Sequence, residues 1–222
     1  MRILAVGDIH GCLNALQTLA ATVPFEAYDA VVTLGDYVDR GPDSRGVVDW
    51  LLNWQKEHML IALRGNHELL MLQALQDRFA LRRWLEVGGT ATMESYQRAA
   101  IGGELVPLEH RGFLEKSVPW WETESHIFVH ASVDPALPMD KQSEVSLYWT
   151  RVDFTAAAHV SGKQVICGHS AHRDGSPKSN GHLTCIDTWA YGGGWLTGLD
   201  VGTGAYWQAR ETGETRSGMI EF

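Results

Sequence analysis

The stretch Ile3-Leu4-Ala5-Val6-Gly7-Asp8-Ile9-His10-Gly11 near the start of the chain decides how the rest is read. An apolar run of this length, closed by a glycine, predicts a strand buried on both faces. Two metal-binding side-chain types follow it, Asp8 and His10, two positions apart, so in extended backbone both project to the same side. The arrangement recurs downstream. Residues 30–34 end at Gly35-Asp36, residues 59–63 at Arg64-Gly65-Asn66-His67-Glu68, residues 127–129 at His130, and residues 164–167 at Gly168-His169.

Between these runs lie helical patterns. Leu13, Leu16, Leu19 and Ala20 recur at helical spacing, as do Val47, Val48, Leu51 and Leu52 behind Pro42 and Asp43, and then Leu69, Leu72 and Leu75. Asp43, Asp36 and Asn66 can each cap a following helix. A β-α-β-α-β order predicts an α/β fold with helices on the faces of a sheet. The C-terminal third changes character. Residues 184–187, 196–201, 205–209 and 219–222 read as strands separated by Gly-rich turns, and are expected to form a second sheet packed on the first as a β-sandwich. Residues 78–125 read as mostly helical, broken at Gly88-Gly89 and Gly102-Gly103, and are expected to cap the site. No repeat or linker divides the chain, so a single domain over residues 1–222 is expected.

Composition narrows the function. The 222 residues carry 18 Lys+Arg against 27 Asp+Glu, a net charge of −9. This disfavours broad binding to nucleic acid or anionic lipid, which want basic surfaces. No run of apolar residues is long enough for a membrane span, and the start lacks the apolar core of a secretory signal. Cys12, Cys167 and Cys185 are an odd number, far apart, inside or beside apolar runs, and are expected to be buried free thiols. A reduced, cytoplasmic protein is expected.

In open α/β sheets ligands bind beyond the carboxyl ends of the strands. If five such ends converge, Asp8, His10, Asp36, Asn66, His130 and His169 face one point. These are oxygen and imidazole donors only, which suits Mn²⁺, Fe or Zn²⁺ and excludes a soft thiolate site. Six donors exceed what one tetrahedral ion needs, whereas two ions sharing Asp36 would use them all. Two metals about 3.5–4 Å apart are the arrangement that clamps attacking and leaving oxygens in phosphoryl displacement.

Asp8-Ile9-His10-Gly11, Gly35-Asp36-Tyr37-Val38-Asp39-Arg40-Gly41 and Leu63-Arg64-Gly65-Asn66-His67-Glu68 resemble the three signature motifs of the PPP-type serine/threonine protein phosphatases, in particular the small bacterial and bacteriophage members. The likeness continues through His130, Trp149-Thr150-Arg151, Gly168-His169 and Ile186-Asp187-Thr188, and implies a calcineurin-like metallophosphoesterase sandwich flanked by helices. It implies that Asp8 and His10 hold one metal, that Asn66, His130 and His169 hold a second, and that Asp36 bridges them. A hydroxide between the two ions, supplied at neutral pH because coordination lowers the pKa of water to roughly 7, would attack phosphorus. His67 would protonate the departing alkoxide, oriented by Asp39, while Arg40 and Arg151 would grip the phosphoryl oxygens.

Two departures from the family pattern stand out. His172 lies three residues after His169, where the wider superfamily often places a further ligand two residues on. It is therefore not counted as a ligand and is expected at the surface, in the loop of residues 172–178. Thr188 is followed by Trp189 where the family usually has glycine, which changes the substrate groove and leaves the metal site alone. His58, His110, His126, His159 and His182 fit no motif. The resemblance implies a phosphorylated protein or peptide as substrate. A symmetrical diadenosine tetraphosphate hydrolase shares the core motifs, and a non-catalytic scaffold of the same fold would lack a ligand or the acid, which this chain does not.

Overall fold

The computed structural model describes residues 1–99 and 106–221. β1 (Ile3–Val6) shows why its sequence is apolar throughout. Leu4 and Val6 join the cluster under the helices, whereas Ile3 and Ala5 join the cluster between the sheets. Alternate residues face opposite sides of a strand, and here both sides are covered.

β1 pairs in parallel with β2 (Ala30–Thr33), which pairs in parallel with β3 (Leu60–Ala62). The intervening helices are α1 (Leu13–Thr22) and α2 (Ser44–Trp54). Asp43 caps α2, its Oδ1 accepting the Gly46 N–H at 2.9 Å, and Val47, Val48, Leu51 and Leu52 face the core as their spacing predicts. α3 (Asn66–Ala74) follows β3, and its His67 N–H donates to Asp36 Oδ1 at 3.1 Å. Thus Asp36 does cap a helix, though from a different strand end rather than from the residues just before it.

Residues 78–99 form α4 (Arg78–Trp84), a wide turn over Leu85–Gly89, and α5 (Thr90–Ala99). The expected break at Gly88-Gly89 is present, and that at Gly102-Gly103 lies outside the described residues. α6 (Leu108–Lys116) then leads to a second sheet made of β4 (Trp120–Glu122), β5 (His126–Val129), β6 (Gln164–Cys167), β7 (Lys178–Ser179) and β8 (Leu183–Cys185), in the order β4-β5-β6-β8-β7. β5, β6 and β8 run parallel. α7 (Glu144–Trp149) packs Leu147 and Tyr148 against the far side of this sheet with Ile127, Val129 and Val165.

β9 (Leu196–Asp200), β10 (Ala205–Ala209) and β11 (Thr215–Met219) complete the first sheet, whose order is β11-β10-β9-β1-β2-β3. The sandwich is as expected, but its membership is not. The C-terminal strands extend the first sheet, and the second is built from the middle of the chain. The reason is an available edge: β1 has β2 on one side only, and β9 pairs antiparallel along the other, Leu4 opposite Asp200. The last strand also sits earlier than residues 219–222. A turn at Gly213 folds β11 directly onto β10, Ala209 opposite Thr215, and this outer strand carries polar residues because it is exposed. The inter-sheet core holds Ile3, Ala5, Val32, Leu34 and Leu199 from the first sheet, with Phe128 and Ile166 from the second. Its effect is to lay the carboxyl ends of β1, β2, β3, β5 and β6 side by side.

Candidate metal centre

Beyond those five strand ends the chain turns sharply. The residues other than glycine with positive φ are His10 (46°), Asp36 (51°), Asp39 (72°), Arg40 (70°), His169 (62°) and Trp189 (66°) among those described. Left-handed backbone costs free energy for L-residues and persists where surrounding structure imposes it. All six line or support one place.

Asp36 stands at its middle. His10 Nε2 lies 3.2 Å from Asp36 Oδ2, His67 Nε2 4.0 Å from the same oxygen, and His130 Nε2 3.5 Å from Oδ1. Two groups have the spacing to hold a metal ion: His10, Asp36 and His67, and Asp36, His130 and His169. Asp36 belongs to both. Asn66 Oδ1 is 3.0 Å from His130 Nε2 and 3.0 Å from His169 Nδ1. Asp8 is beside them: its carboxylate accepts the His169 N–H at 2.9 Å, and a Cβ on Gly168 would overlap its Oδ1, so only glycine fits there. Of the expected ligands, His10, Asp36, His130 and His169 fall in these groups and Asn66 touches the second; Asp8 belongs to neither, and His67, expected as the acid, takes its place in the first.

The ring hydrogen bonds show which nitrogens face the cluster. His10 Nδ1 is 2.9 Å from the Val38 carbonyl and His130 Nδ1 2.8 Å from that of Leu34, so both donate from Nδ1 and present the Nε2 lone pair. His169 Nε2 is 3.3 Å from the Trp149 carbonyl, leaving its Nδ1 lone pair inward. Burial pushes His130 down to about 4 and lowers His10 and His169, so these rings are neutral at pH 7. Two imidazole lone pairs and the Asn66 carbonyl oxygen then converge with no proton between them. A divalent cation held by the two imidazole nitrogens and the amide oxygen suits this convergence of donors. The carboxylates say the same. Burial, with the Asp187 and Asp36 charges, pushes Asp8 well above the usual range, and burial first, then nearby negative charge, lifts Asp187 and Glu68 to about 7. The cluster is short of positive charge, and the residues fit divalent metals.

Beside this cluster Asp39 Oδ2 lies 2.6 Å from His67 Nδ1. Asp39 is fully buried and accepts from Trp84 Nε1 at 2.9 Å and Thr92 Oγ1 at 2.7 Å. Burial alone would lower the His67 pKa, yet the Asp36 charge and the Asp39 hydrogen bond together hold it above its ordinary value. The reverse holds for Asp36: burial would raise it, and the imidazoles of His130, His67 and His10 keep it well below the usual carboxylate range. A second buried carboxylate, Glu68, accepts from the backbone N–H groups of Gly65, Asp36 and Tyr37 at 2.8 Å each, tying two strand-end turns together.

Arg40 and Arg151 line one cavity of about 510 Å³ with Asp36, Asn66 and His169. The Arg40 Nη1 is 2.9 Å from His10 Nε2, and its guanidinium lies 4.6 Å from the Tyr191 ring centre. His172 belongs to neither metal group, as expected, but it is not a surface residue. It is half-buried, lines the same cavity, and its Nε2 is buried without a partner. The reason is the bond from its backbone N–H to the Asp187 carbonyl, 2.9 Å, which draws the loop inward. Sequence reasoning missed the support given by Trp84, Thr92 and Glu68, and the presence of Tyr191 and Arg173 in the cavity. For Glu68 a signal existed, its place three residues after the cap position of α3.

The fold and this donor set define a metal-dependent phosphoesterase. The calcineurin-like phosphoesterase family matches residues 1–173, and the chain belongs to it, on its PPP-type branch. It is 33% identical to serine/threonine-protein phosphatase 1 of Salmonella typhimurium over 204 residues, 86% of this chain and 88% of that one. It is also 31% identical to the symmetrical bis(5'-nucleosyl)-tetraphosphatase of Cellvibrio japonicus over 170 residues, 74% of this chain and 59% of that one. Among solved structures, a cold-active protein-tyrosine phosphatase from a Shewanella species aligns with TM-score 0.63 and 15% identity, over 97% of this chain and 80% of its own, a likeness of fold alone. The protein is thus a hydrolase of the metallophosphoesterase family, and no described helix is long and apolar enough to cross a membrane.

Proposed function

We propose that this protein removes phosphate from phosphoserine or phosphothreonine in proteins, as a dimetal phosphomonoesterase with residues 1–222 as one catalytic domain. The carrying observation is a pair of candidate metal groups sharing Asp36, with the Asp39–His67 pair alongside and two guanidiniums at the same cavity. In this reading Asp8 and His10 hold one ion, Asn66, His130 and His169 the other, and Asp36 serves both. Bound there, two divalent cations, manganese foremost and iron or zinc compatible with the donors, would bring the pKa of a coordinated water to roughly 7 and offset charge on the phosphoryl oxygens.

The chain's own residues do the rest. Arg40 and Arg151 would hold phosphoryl oxygens with planar forks, which also sets the ester for in-line displacement. His67 commits Nδ1 to Asp39, and its Nε2 would carry the proton for the departing alkoxide. Asp39 fixes the ring's direction and is itself fixed by Trp84 and Thr92. The relative named as a protein phosphatase aligns over most of its own length, whereas the tetraphosphatase aligns over little more than half, which supports a phosphoprotein substrate over a dinucleotide. The test is turnover by the manganese-reconstituted protein on a phosphothreonine peptide and on diadenosine tetraphosphate. Faster hydrolysis of the peptide is expected, and a dinucleotide preferred by orders of magnitude would overturn the reading.

A further inference from the structure

The cavity holds one guanidinium more than a single phosphoryl group uses. Arg40, Arg151 and Arg173 all line it, and none forms an ion pair with a carboxylate among the described residues. The nearest carboxylate in sequence to Arg173, that of Asp174, is taken by Lys178 at 3.2 Å. Arg173 is also not free to wander. The loop carrying it is pinned by the His172 N–H on the Asp187 carbonyl at 2.9 Å, and by the Gly175 carbonyl, which accepts from Gln208 Nε2 at 2.9 Å. Its guanidinium lies 5.1 Å from the ring centre of Trp189, a cation–π placement that a fork needs if it is to be held without a counter-charge.

Trp189 is the second observation. It has φ 66° and ψ 43°, a left-handed backbone that a bulky side chain adopts only under constraint. The constraint is visible. Its N–H donates to Asp187 Oδ1 at 3.0 Å, its carbonyl accepts from Gly192 and Gly194, and the indole lies so close to Gly192 that any Cβ there would overlap it. A tryptophan thus occupies a position whose geometry suits glycine, at the wall of the cavity, beneath an arginine.

We propose that Arg173, seated on Trp189, is a second anion-binding point that selects phosphopeptides carrying an acidic or phosphorylated side chain next to the hydrolysed residue. The inference rests on the phosphoprotein reading above. The cluster itself, with Arg40 and Arg151, takes the phosphoryl group, and Arg173 takes the neighbouring negative charge. A nucleobase is the poorer occupant, because the guanidinium already lies over the indole on which it would stack.

The test compares kcat/KM on two phosphothreonine peptides identical except for glutamate or lysine beside the phosphothreonine, with the reconstituted full chain. Wild type is expected to prefer the acidic peptide by about fivefold, the scale of a partly exposed charge pair. R173E is expected to invert that ratio, and W189G to reduce it by releasing the guanidinium while easing the backbone. Because each ratio is internal to one protein, partial loss of folding in a variant does not alter it. An R173E ratio equal to that of wild type overturns the second anion point while leaving the phosphatase reading intact. Turnover of neither peptide by wild type, with p-nitrophenyl phosphate still hydrolysed, overturns both.

Discussion

Asp39 Oδ2 sits 2.6 Å from His67 Nδ1, and the donors that hold Asp39 in place, Trp84 and Thr92, come from two helices 45 and 53 residues further along the chain. In the proposed reaction the acid would thus be aimed from α4 and α5, through the bonds of Trp84 and Thr92 to Asp39. A carboxylate with three donors around it cannot rotate without leaving one of them unmet, so the imidazole it holds has one direction.

Replacing His67 by Asn should lower kcat by about 10²–10⁴-fold, the usual contribution of a general acid, with metal content nearly unchanged. Steady-state kinetics beside metal analysis by mass spectrometry checks both halves. A loss below about tenfold would count against His67 as the proton donor.

Thr92→Val removes one donor to Asp39 without changing side-chain volume much. Hydrogen bonds to charged groups are worth about 1.5–3 kcal/mol, and part of that should appear as a kcat lowered by roughly tenfold at similar KM. An unchanged kcat would mean that Trp84 alone suffices to hold Asp39.

The strand ends were legible in the sequence because burial on both faces leaves a simple mark: Ile3–Val6 and, after Gln164, Val165-Ile166-Cys167 are uninterrupted apolar runs, each followed by polar donors. Asp43 as a cap and Pro42 before α2 were legible for equally local reasons. What was not legible depends on partners distant in the chain. Residues 196–219 carry strand patterns, but nothing local says that β9 lies beside β1 rather than β8. The depth of His172 depends on a bond to Asp187, and the use of Thr92 on a contact with a motif 53 residues earlier. Arg173 and Tyr191 carried no motif of their own, and only the folded cavity shows them together.

Glu68→Gln should destabilise the fold. The glutamate oxygens accept from Gly65, Asp36 and Tyr37, all buried, and an amide N–H₂ in place of one oxygen would face donors. One unmet buried donor costs about 1–3 kcal/mol, and in a chain of this size each kcal/mol moves Tm by roughly 2–4 °C. Calorimetry should therefore show a Tm lower by roughly 5 °C. An unaltered Tm would mean that the two turns are held without this carboxylate.

Asp36 is the one residue common to both candidate metal groups, so Asp36→Asn should release both ions rather than one. The amide keeps the shape and loses the charge that His10, His67 and His130 surround. Two tightly held ions in the purified variant would show that Asp36 is not shared. Removing the metals from wild type provides the complementary measurement. Dialysis against a chelator should abolish turnover of p-nitrophenyl phosphate and lower Tm, since ions that bind only the folded chain stabilise it by mass action. Returning Mn²⁺ should restore both. The fall in Tm should be small in Asp36→Asn, which has little metal to lose, and large in wild type. Activity that survives chelation with no metal detectable would leave the convergence of His130, His169 and Asn66 without its cation, and the dimetal reading would have to be given up.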